Sequence, residues 1–439
     1  MQREPCPYGT TPLPCGLILG RETAPRLPRE PMGYGPATPP SDKKHGRGGL
    51  ISYGGDGHLI TFAPTGTGKT VGPVICNCLM HPGQLIVLDI KGEVYRATAR
   101  RRREMGQPVH VLDVRDGTGM GDSLNPLDLA ARCGTEPASV ARGFAAELIE
   151  PMPGERDRFW NNWAETMLTG GLAWLMEDCA PEQRTLAALF DLFTHEDVDF
   201  SIGTLLDKKI TSRAAKAAFA SYLNLPDRET RPSVLASTLQ HLRLFDSELV
   251  RRATSSTSID LDALARGDPM TLYIIVPPAR LTALRPILRA WLSGLMLALT
   301  QRETPPRHST LFLCDEIAQL GKIDSILTAS TLMRGYGMQL WSIWQNVSQL
   351  AFYGEQARTI LDNAGVVQLF GARNRRMAEE FVQLVGGTDA DAIMAMRKDD
   401  QLLLIEGGAL TECRRVRYFE EPEFAGLYDD RKPQAAALR

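Results

Sequence analysis

The segment Ala63-Pro-Thr-Gly-Thr-Gly-Lys-Thr70 lies between two apolar runs, His58–Phe62 and Val71–Met80. Strand, tight glycine turn and helix is the context a phosphate-binding loop requires. Gly66 and Gly68 free the backbone to turn its N–H groups inward around a triphosphate. The following helix aims its positive end at the same anion. Lys69 is placed to pair with the β- and γ-phosphates, and the Thr70 hydroxyl to bind Mg²⁺. Thr65, Gly66, Thr67, Gly68, Lys69 and Thr70 are therefore the expected nucleotide-binding set, with ATP and Mg²⁺ as the implied ligands. Ala63 stands where the strict pattern has its first glycine. A dinucleotide-binding loop is not expected, because Gly66-x-Gly68 runs into Lys69-Thr70-Val71 with no third glycine.

The rest of the chain supplies the sheet such a loop needs. Leu85–Asp89 and Val109–Asp113 read as buried strands on either side of a basic helix over 93–105, which Gly106 stops. Strand patterns return at Leu272–Val276, Thr310–Asp315, Leu340–Trp344 and Val366–Phe370, each followed by a helical stretch. Strands alternating with helices argue a parallel sheet covered on both faces. Residues 401–405 and 414–419 read as a closing strand pair turned by Glu406-Gly-Gly408. Between 126 and 265 the periodicity is helical and strand signals are nearly absent. The expected fold is thus α/β: a RecA-like phosphate-loop domain with a parallel central sheet, formed by 46–125 and 266–428, plus an inserted all-α domain at 126–265.

Ten prolines in the first forty positions, without periodicity, predict an extended arm over 1–45, and 429–439 reads as a loose tail. With 439 residues and a net charge of -3, the chain is not a basic protein. A nucleic-acid partner would have to meet a local basic surface. The eight cysteines lack paired zinc spacing and read as buried free thiols of a reducing compartment. The longest apolar stretch, Ala290–Leu299, spans only ten residues, and no transmembrane segment is expected.

A phosphate loop alone leaves metal and water unassigned. Thr310–Asp315 is an apolar strand ending in Asp315-Glu316. An acid there can order Mg²⁺, and an adjacent glutamate can polarise the attacking water. Asp315 and Thr70 are read as the metal residues and Glu316 as the base. Gln345 ends the next strand pattern and is placed to sense the γ-phosphate or orient the water. Arg334 precedes that strand and Arg373 follows the strand ending at Phe370. Either arginine could supply transition-state charge to a neighbouring subunit's nucleotide. Lys91 and Glu93, in the Asp89-Ile-Lys-Gly-Glu93 turn, are further candidates beside the pocket. Arg100-Arg-Arg-Arg103 reads first as a solvated helix face, and Trp160 and Trp163 as helix-packing residues.

The order of these motifs resembles the coupling-protein ATPases of type IV secretion and conjugation, the VirD4/TraG group. The likeness rests on Gly57-His-Leu-Ile60 leading into the loop, Asp89-Ile-Lys-Gly-Glu93, Asn125-Pro-Leu127 and Phe159-Trp160. It extends through Leu272–Pro277, Asp315-Glu316 with Leu320-Gly321, Gln345 and Gly371-Ala-Arg-Asn374. The resemblance implies a RecA-like motor domain and a membrane-distal all-α domain. It also implies a ring, usually a homo-hexamer, with nucleotide between subunits. It further implies delivery of a relaxase–DNA complex or protein effectors to the secretion channel. Lys69, Thr70, Asp315, Glu316 and Gln345 fall on the family's nucleotide positions, and Arg334 on one proposed to act across the interface. Most members begin with transmembrane helices. Their absence here implies either a branch lacking that anchor or an anchor on another polypeptide, with the chain cytoplasmic or peripheral at the inner membrane.

The expected function is an ATP-driven DNA-translocating motor of a type IV secretion or conjugation system, acting on single-stranded DNA independently of sequence through backbone contacts. Two rivals stand beside it. One is a nucleotide-stabilised receptor for protein effectors that never pumps DNA. The other is a ring DNA translocase outside secretion. A site shared between subunits is also compatible with an isolated monomer.

Overall fold

Short β-rich apolar runs assemble into one sheet in the computed structural model, which describes residues 16–23, 48–114, 121–134, 136–149, 158–208, 210–226 and 228–430. Its strands are β1 (Leu17–Arg21), β2 (Leu50–Tyr53), β3 (His58–Phe62), β4 (Leu85–Asp89), β5 (Val109–Asp113) and β6 (Thr271–Ile275). The remainder are β7 (Thr310–Cys314), β8 (Met338–Trp344), β9 (Ala364–Leu369), β10 (Asp400–Ile405) and β11 (Thr411–Arg414). The spatial order is β2-β1-β11-β10-β9-β3-β8-β7-β4-β6-β5. From β9 to β5 every pairing is parallel. The other edge, from β9 out to β2, is antiparallel.

Alternation along the strands divides the core. Ile60, Phe62, Ile86, Leu88, Leu272, Ile274, Phe312 and Cys314 enter one apolar cluster. Their neighbours Leu59, Leu85, Val87, Tyr273, Ile275, Leu311 and Leu313 enter a second. Successive side chains point to opposite faces of a strand, so the parallel part of the sheet is buried on both sides. The first cluster continues into Met167, Leu168, Leu172, Phe193, Phe219 and Phe245. These come from the segment between Asn125 and Asp268, whose described residues form helices and connections only. The helical segment therefore shares a continuous apolar core with one sheet face.

The segment read as a proline-rich arm contains a buried strand. Leu17–Arg21 has every residue buried, and its polar backbone is met by side chains of the domain. Asn77, on the helix Ile75–Met80, accepts from the Ile18 N–H at 2.8 Å and donates to the Ile18 carbonyl at 2.9 Å. Gln368 and Gln401 both donate to the Leu19 carbonyl at 2.9 Å. Proline content hid this strand because Leu17-Ile-Leu-Gly-Arg21 is too short to show a period among so many breakers. The remaining residues of the predicted arm, except Gly16, Glu22 and Thr23, lie outside those described, as does the tail beyond 430.

Two other readings change. The closing strand pair is β10 with β11, and β11 ends at Arg414, so 415–419 leaves the sheet. Arg415 turns inward instead, at 8% exposure. The four-arginine run is not a solvated face either. Arg102 is fully buried on the helix Glu93–Glu104. It donates to the Thr271 hydroxyl at 2.7 Å, to the carbonyls of Cys78 and Gly83 at 3.3 and 2.9 Å, and to that of His81. Arg100 pairs with Glu104 and Asp429. The six described cysteines are free thiols, and all but Cys179 are buried.

Candidate nucleotide site

β3 runs straight into the loop at the carboxyl end of the parallel sheet. Gly66 (φ 80°) and Gly68 (φ 90°) both adopt left-handed backbone, which side chains resist. Thr67 closes the turn by donating its N–H and its hydroxyl to the Pro64 carbonyl, at 3.2 and 2.6 Å. A Cβ at Gly66 would meet only an Arg373 guanidinium nitrogen at 4.0 Å, so the loop is uncrowded at that residue. The helix predicted over 71–80 begins as a wide turn, Thr70–Val74, before Ile75–Met80 continues it. Pro73 has no N–H to donate there, and Val74 N–H reaches back to the Lys69 carbonyl at 3.5 Å.

β7 brings Asp315 and Glu316 beside the loop. The Thr70 hydroxyl donates to Asp315 Oδ2 at 2.8 Å. Lys69 Nζ lies 2.9 Å from Glu316 Oε1 and 3.4 Å from Asp315 Oδ1. Neither approach has hydrogen-bonding geometry, and both Lys69 Nζ and Asp315 Oδ1 are buried without a hydrogen-bond partner. Burial pushes the Asp315 carboxyl above the usual aspartate range, against the pull of Lys69 and Thr70. A buried ammonium and a buried carboxylate oxygen, ion-paired yet each lacking a hydrogen bond, fit an anion and a hard cation respectively. Glu316 holds φ 57°, ψ 40°, left-handed backbone in a non-glycine residue. Such a conformation costs about 1–3 kcal/mol and persists where the surroundings impose it.

The remaining candidates separate by sheet edge. β8 lies between β3 and β7, so Gln345, just past its carboxyl end, sits between the loop and the Asp315-Glu316 turn. Its N–H donates to Gln349 Oε1 at 2.7 Å. Asp89 ends β4 next to β7, and burial raises its carboxyl to about 6. It accepts from the Tyr95 N–H at 2.8 Å, which ties it to the start of the basic helix. Lys91 is exposed in the turn after it, and Glu93 begins that helix. Arg373 hydrogen-bonds the Thr65 carbonyl of its own loop.

Arg334 lies at the amino end of β8, where its guanidinium pairs with Asp56 just before β3. The seven residues of β8 put roughly 20 Å of sheet between Arg334 and its own loop. Trp163 packs against the core while Trp160 is 36% exposed and stacks edge-to-face on Phe159. Sequence reasoning passed over Arg415. Its Nη1 donates to the Thr67 carbonyl at 2.9 Å, and no motif at 415–419 marked it.

A phosphate-loop sequence at the carboxyl edge of a mainly parallel sheet, faced by an Asp-Glu pair, is the architecture of the RecA-like phosphate-loop fold. Residues 27–391 match the family model described as Type IV secretory system Conjugative DNA transfer. The chain belongs to that family. It is 30% identical over 425 residues to protein VirD4 of Agrobacterium fabrum (strain C58 / ATCC 33970), covering 87% of this chain and 62% of that protein. It is 25% identical over 367 residues to the conjugal transfer protein TraG of Escherichia coli, covering 79% and 57%. It thus spans less than two thirds of the length of either relative. Among solved structures it resembles the bacterial conjugative coupling protein TrwBdeltaN70, with a TM-score of 0.66 at 15% identity and 86% of each chain covered. TrwB with ADP and Mg²⁺ gives a TM-score of 0.65 at 16% identity, covering 86% of this chain and 87% of that one. No helix among the described residues is long and apolar enough to cross a membrane.

Proposed function

We propose that the chain hydrolyses ATP and uses it to drive DNA, delivered with a relaxase or other protein cargo, into a type IV secretion or conjugation channel. One observation carries the reading. In a member of the conjugative DNA transfer family, Lys69, Thr70, Asp315 and Glu316 converge on one open phosphate cradle. Relatives named as conjugal transfer and coupling proteins, and TrwB structures with ADP and Mg²⁺ or an ATP analogue, support the assignment.

In this reading the loop N–H groups and Lys69 bind the phosphate chain. Thr70 and Asp315 hold Mg²⁺, which when bound neutralises charge on the β- and γ-phosphates. Glu316 takes a proton from the attacking water, once its present pairing with Lys69 gives way. Gln345, from between the two elements, contacts the γ-phosphate side. Arg334 is too far along the sheet to serve its own loop, so it serves the site of an adjacent copy in a ring, usually a hexamer. DNA contact is backbone-directed and sensitive to salt.

The test is ATP turnover of purified protein with and without single-stranded and double-stranded DNA, alongside Lys69→Ala. Turnover stimulated by DNA and abolished in Lys69→Ala supports the motor. DNA-indifferent turnover together with tight effector binding to the helical segment would replace it with the receptor reading.

A further inference from the structure

We propose that Arg415 is a positioning residue that sets the phosphate loop for nucleotide, an inference that rests on the nucleotide-binding reading above. The residue is only 8% exposed, and its guanidinium makes three backbone hydrogen bonds. Nε donates to the Asp400 carbonyl at 2.9 Å, Nη2 to the Phe370 carbonyl at 2.6 Å, and Nη1 to the Thr67 carbonyl at 2.9 Å. The group lies 4.6 Å from the centroid of the Phe370 ring, and the Arg415 N–H donates to the Asp399 carbonyl at 2.8 Å. The fork is therefore fixed from several sides before it reaches the loop.

The contact at Thr67 has a directional consequence. In a trans peptide the C=O and the following N–H point opposite ways. A guanidinium that holds the Thr67 carbonyl on the protein side therefore holds the Gly68 N–H toward the other side, where a β-phosphate would lie. Arg373 acts likewise on the Thr65 carbonyl and so on the Gly66 N–H. Both flanking glycines have left-handed backbone and no side chain to hold their peptides in place. The chain after Arg415 keeps close company with the loop: Tyr418 N–H donates to the Val71 carbonyl at 3.2 Å, and a Cβ on Gly72 would come within 2.8 Å of the Val416 carbonyl. The three acceptors of the Arg415 side chain are neutral carbonyls. Asp399 and Asp400 offset its charge in part, so the group acts on the loop through the Thr67 carbonyl. Burial lowers its pKa only to about 10, leaving it a cation at neutral pH.

Affinity for ADP and for a non-hydrolysable ATP analogue, each with Mg²⁺, should be measured calorimetrically on the full chain and on Arg415→Lys. A lysine keeps the charge but cannot span three carbonyls. Losing a charge-assisted contact of this kind should weaken both ligands equally, by roughly tenfold or more. KM for ATP should rise by the same factor, with kcat at saturation close to wild type. A folded Arg415→Lys that binds like wild type overturns the proposal. So does a loss confined to the ATP analogue, because that would mark a γ-phosphate contact. Should Arg415→Lys fail to fold, Arg415→Gln decides, since it removes the three-carbonyl fork without leaving a buried charge behind, and unchanged ADP affinity there refutes the role. A wild-type chain that binds neither ligand sinks the nucleotide reading itself, and this inference with it.

Discussion

The Thr70 hydroxyl donates to Asp315 Oδ2 across 2.8 Å, joining the end of the phosphate loop to the end of β7. The residues are 245 positions apart in the chain, so the bond exists only because β3 and β7 flank β8. Replacing Thr70 with Ala should leave metal-free ADP binding near wild type and abolish the tightening that Mg²⁺ brings. Titrations in EDTA and in Mg²⁺ give the comparison, and a variant that still tightens with Mg²⁺ would remove Thr70 from the metal site.

Glu316→Gln keeps the shape of the residue beside Lys69 and removes the proposed base. Turnover should fall by about 10²–10⁴-fold, with affinity for the ATP analogue retained. A variant that hydrolyses ATP at the wild-type rate would move the base elsewhere.

Arg334 and Lys69 lie at opposite ends of the sheet. If Arg334 completes a neighbour's site, Arg334→Ala should bind nucleotide normally yet fail to turn it over. Mixing it with Lys69→Ala should restore part of the activity, because some sites then pair an intact loop with an intact arginine. A mixture as inactive as its components would refute action across subunits.

Glu147 is buried beneath the sheet-facing helix Leu281–Ala298, accepting from the Ser293 hydroxyl at 2.6 Å. Burial raises its carboxyl to about 7, offset in part by Ser293 and Arg289 and reinforced by Asp324. A raised folded pKa means the native state holds the proton more tightly than the unfolded chain, whose value is near 4.5. This group's contribution is therefore fully present below about 4.5 and is lost as pH rises toward and through about 7. Glu147→Gln should flatten the fall in unfolding free energy over that window, by an amount on the order of 3 kcal/mol at its upper end, and with it the fall in melting temperature. Parallel melting curves for the two proteins would assign the decline to other groups.

Arg102→Leu should destabilise the fold by about 3 kcal/mol or more, since it takes a buried donor away from the Thr271 hydroxyl oxygen and from the carbonyls of Cys78, His81 and Gly83 at once. Denaturant melts measure this directly, and a loss below about 1 kcal/mol would show that water satisfies those groups.

Arg102 also marks the limit of what could be read in advance. Four consecutive arginines near a helix end look solvated, and nothing local distinguishes the second and third, which turn inward. The parallel strands were legible because each is an unbroken apolar run between breakers. The cradle was legible because Lys69, Thr70 and the acids after β7 follow local patterns. Arg415 and the β1 strand were not, for a shared reason. Each acts through backbone carbonyls and N–H groups supplied by distant elements, and no side-chain spacing records such partners. Arg334 and Arg373 looked equivalent as residues near strand ends. Only the direction of the strands shows that they occupy opposite edges.

The location of β1 bears on how the protein can be cut. A truncation chosen to discard the proline-rich beginning and start near residue 48 would delete a strand that lies between β2 and β11. Asn77, Gln368 and Gln401 would lose the backbone they serve, and β11 would become a bare sheet margin open to intermolecular pairing. Poor solubility of such a fragment would reflect that wound rather than any instability of the rest of the fold.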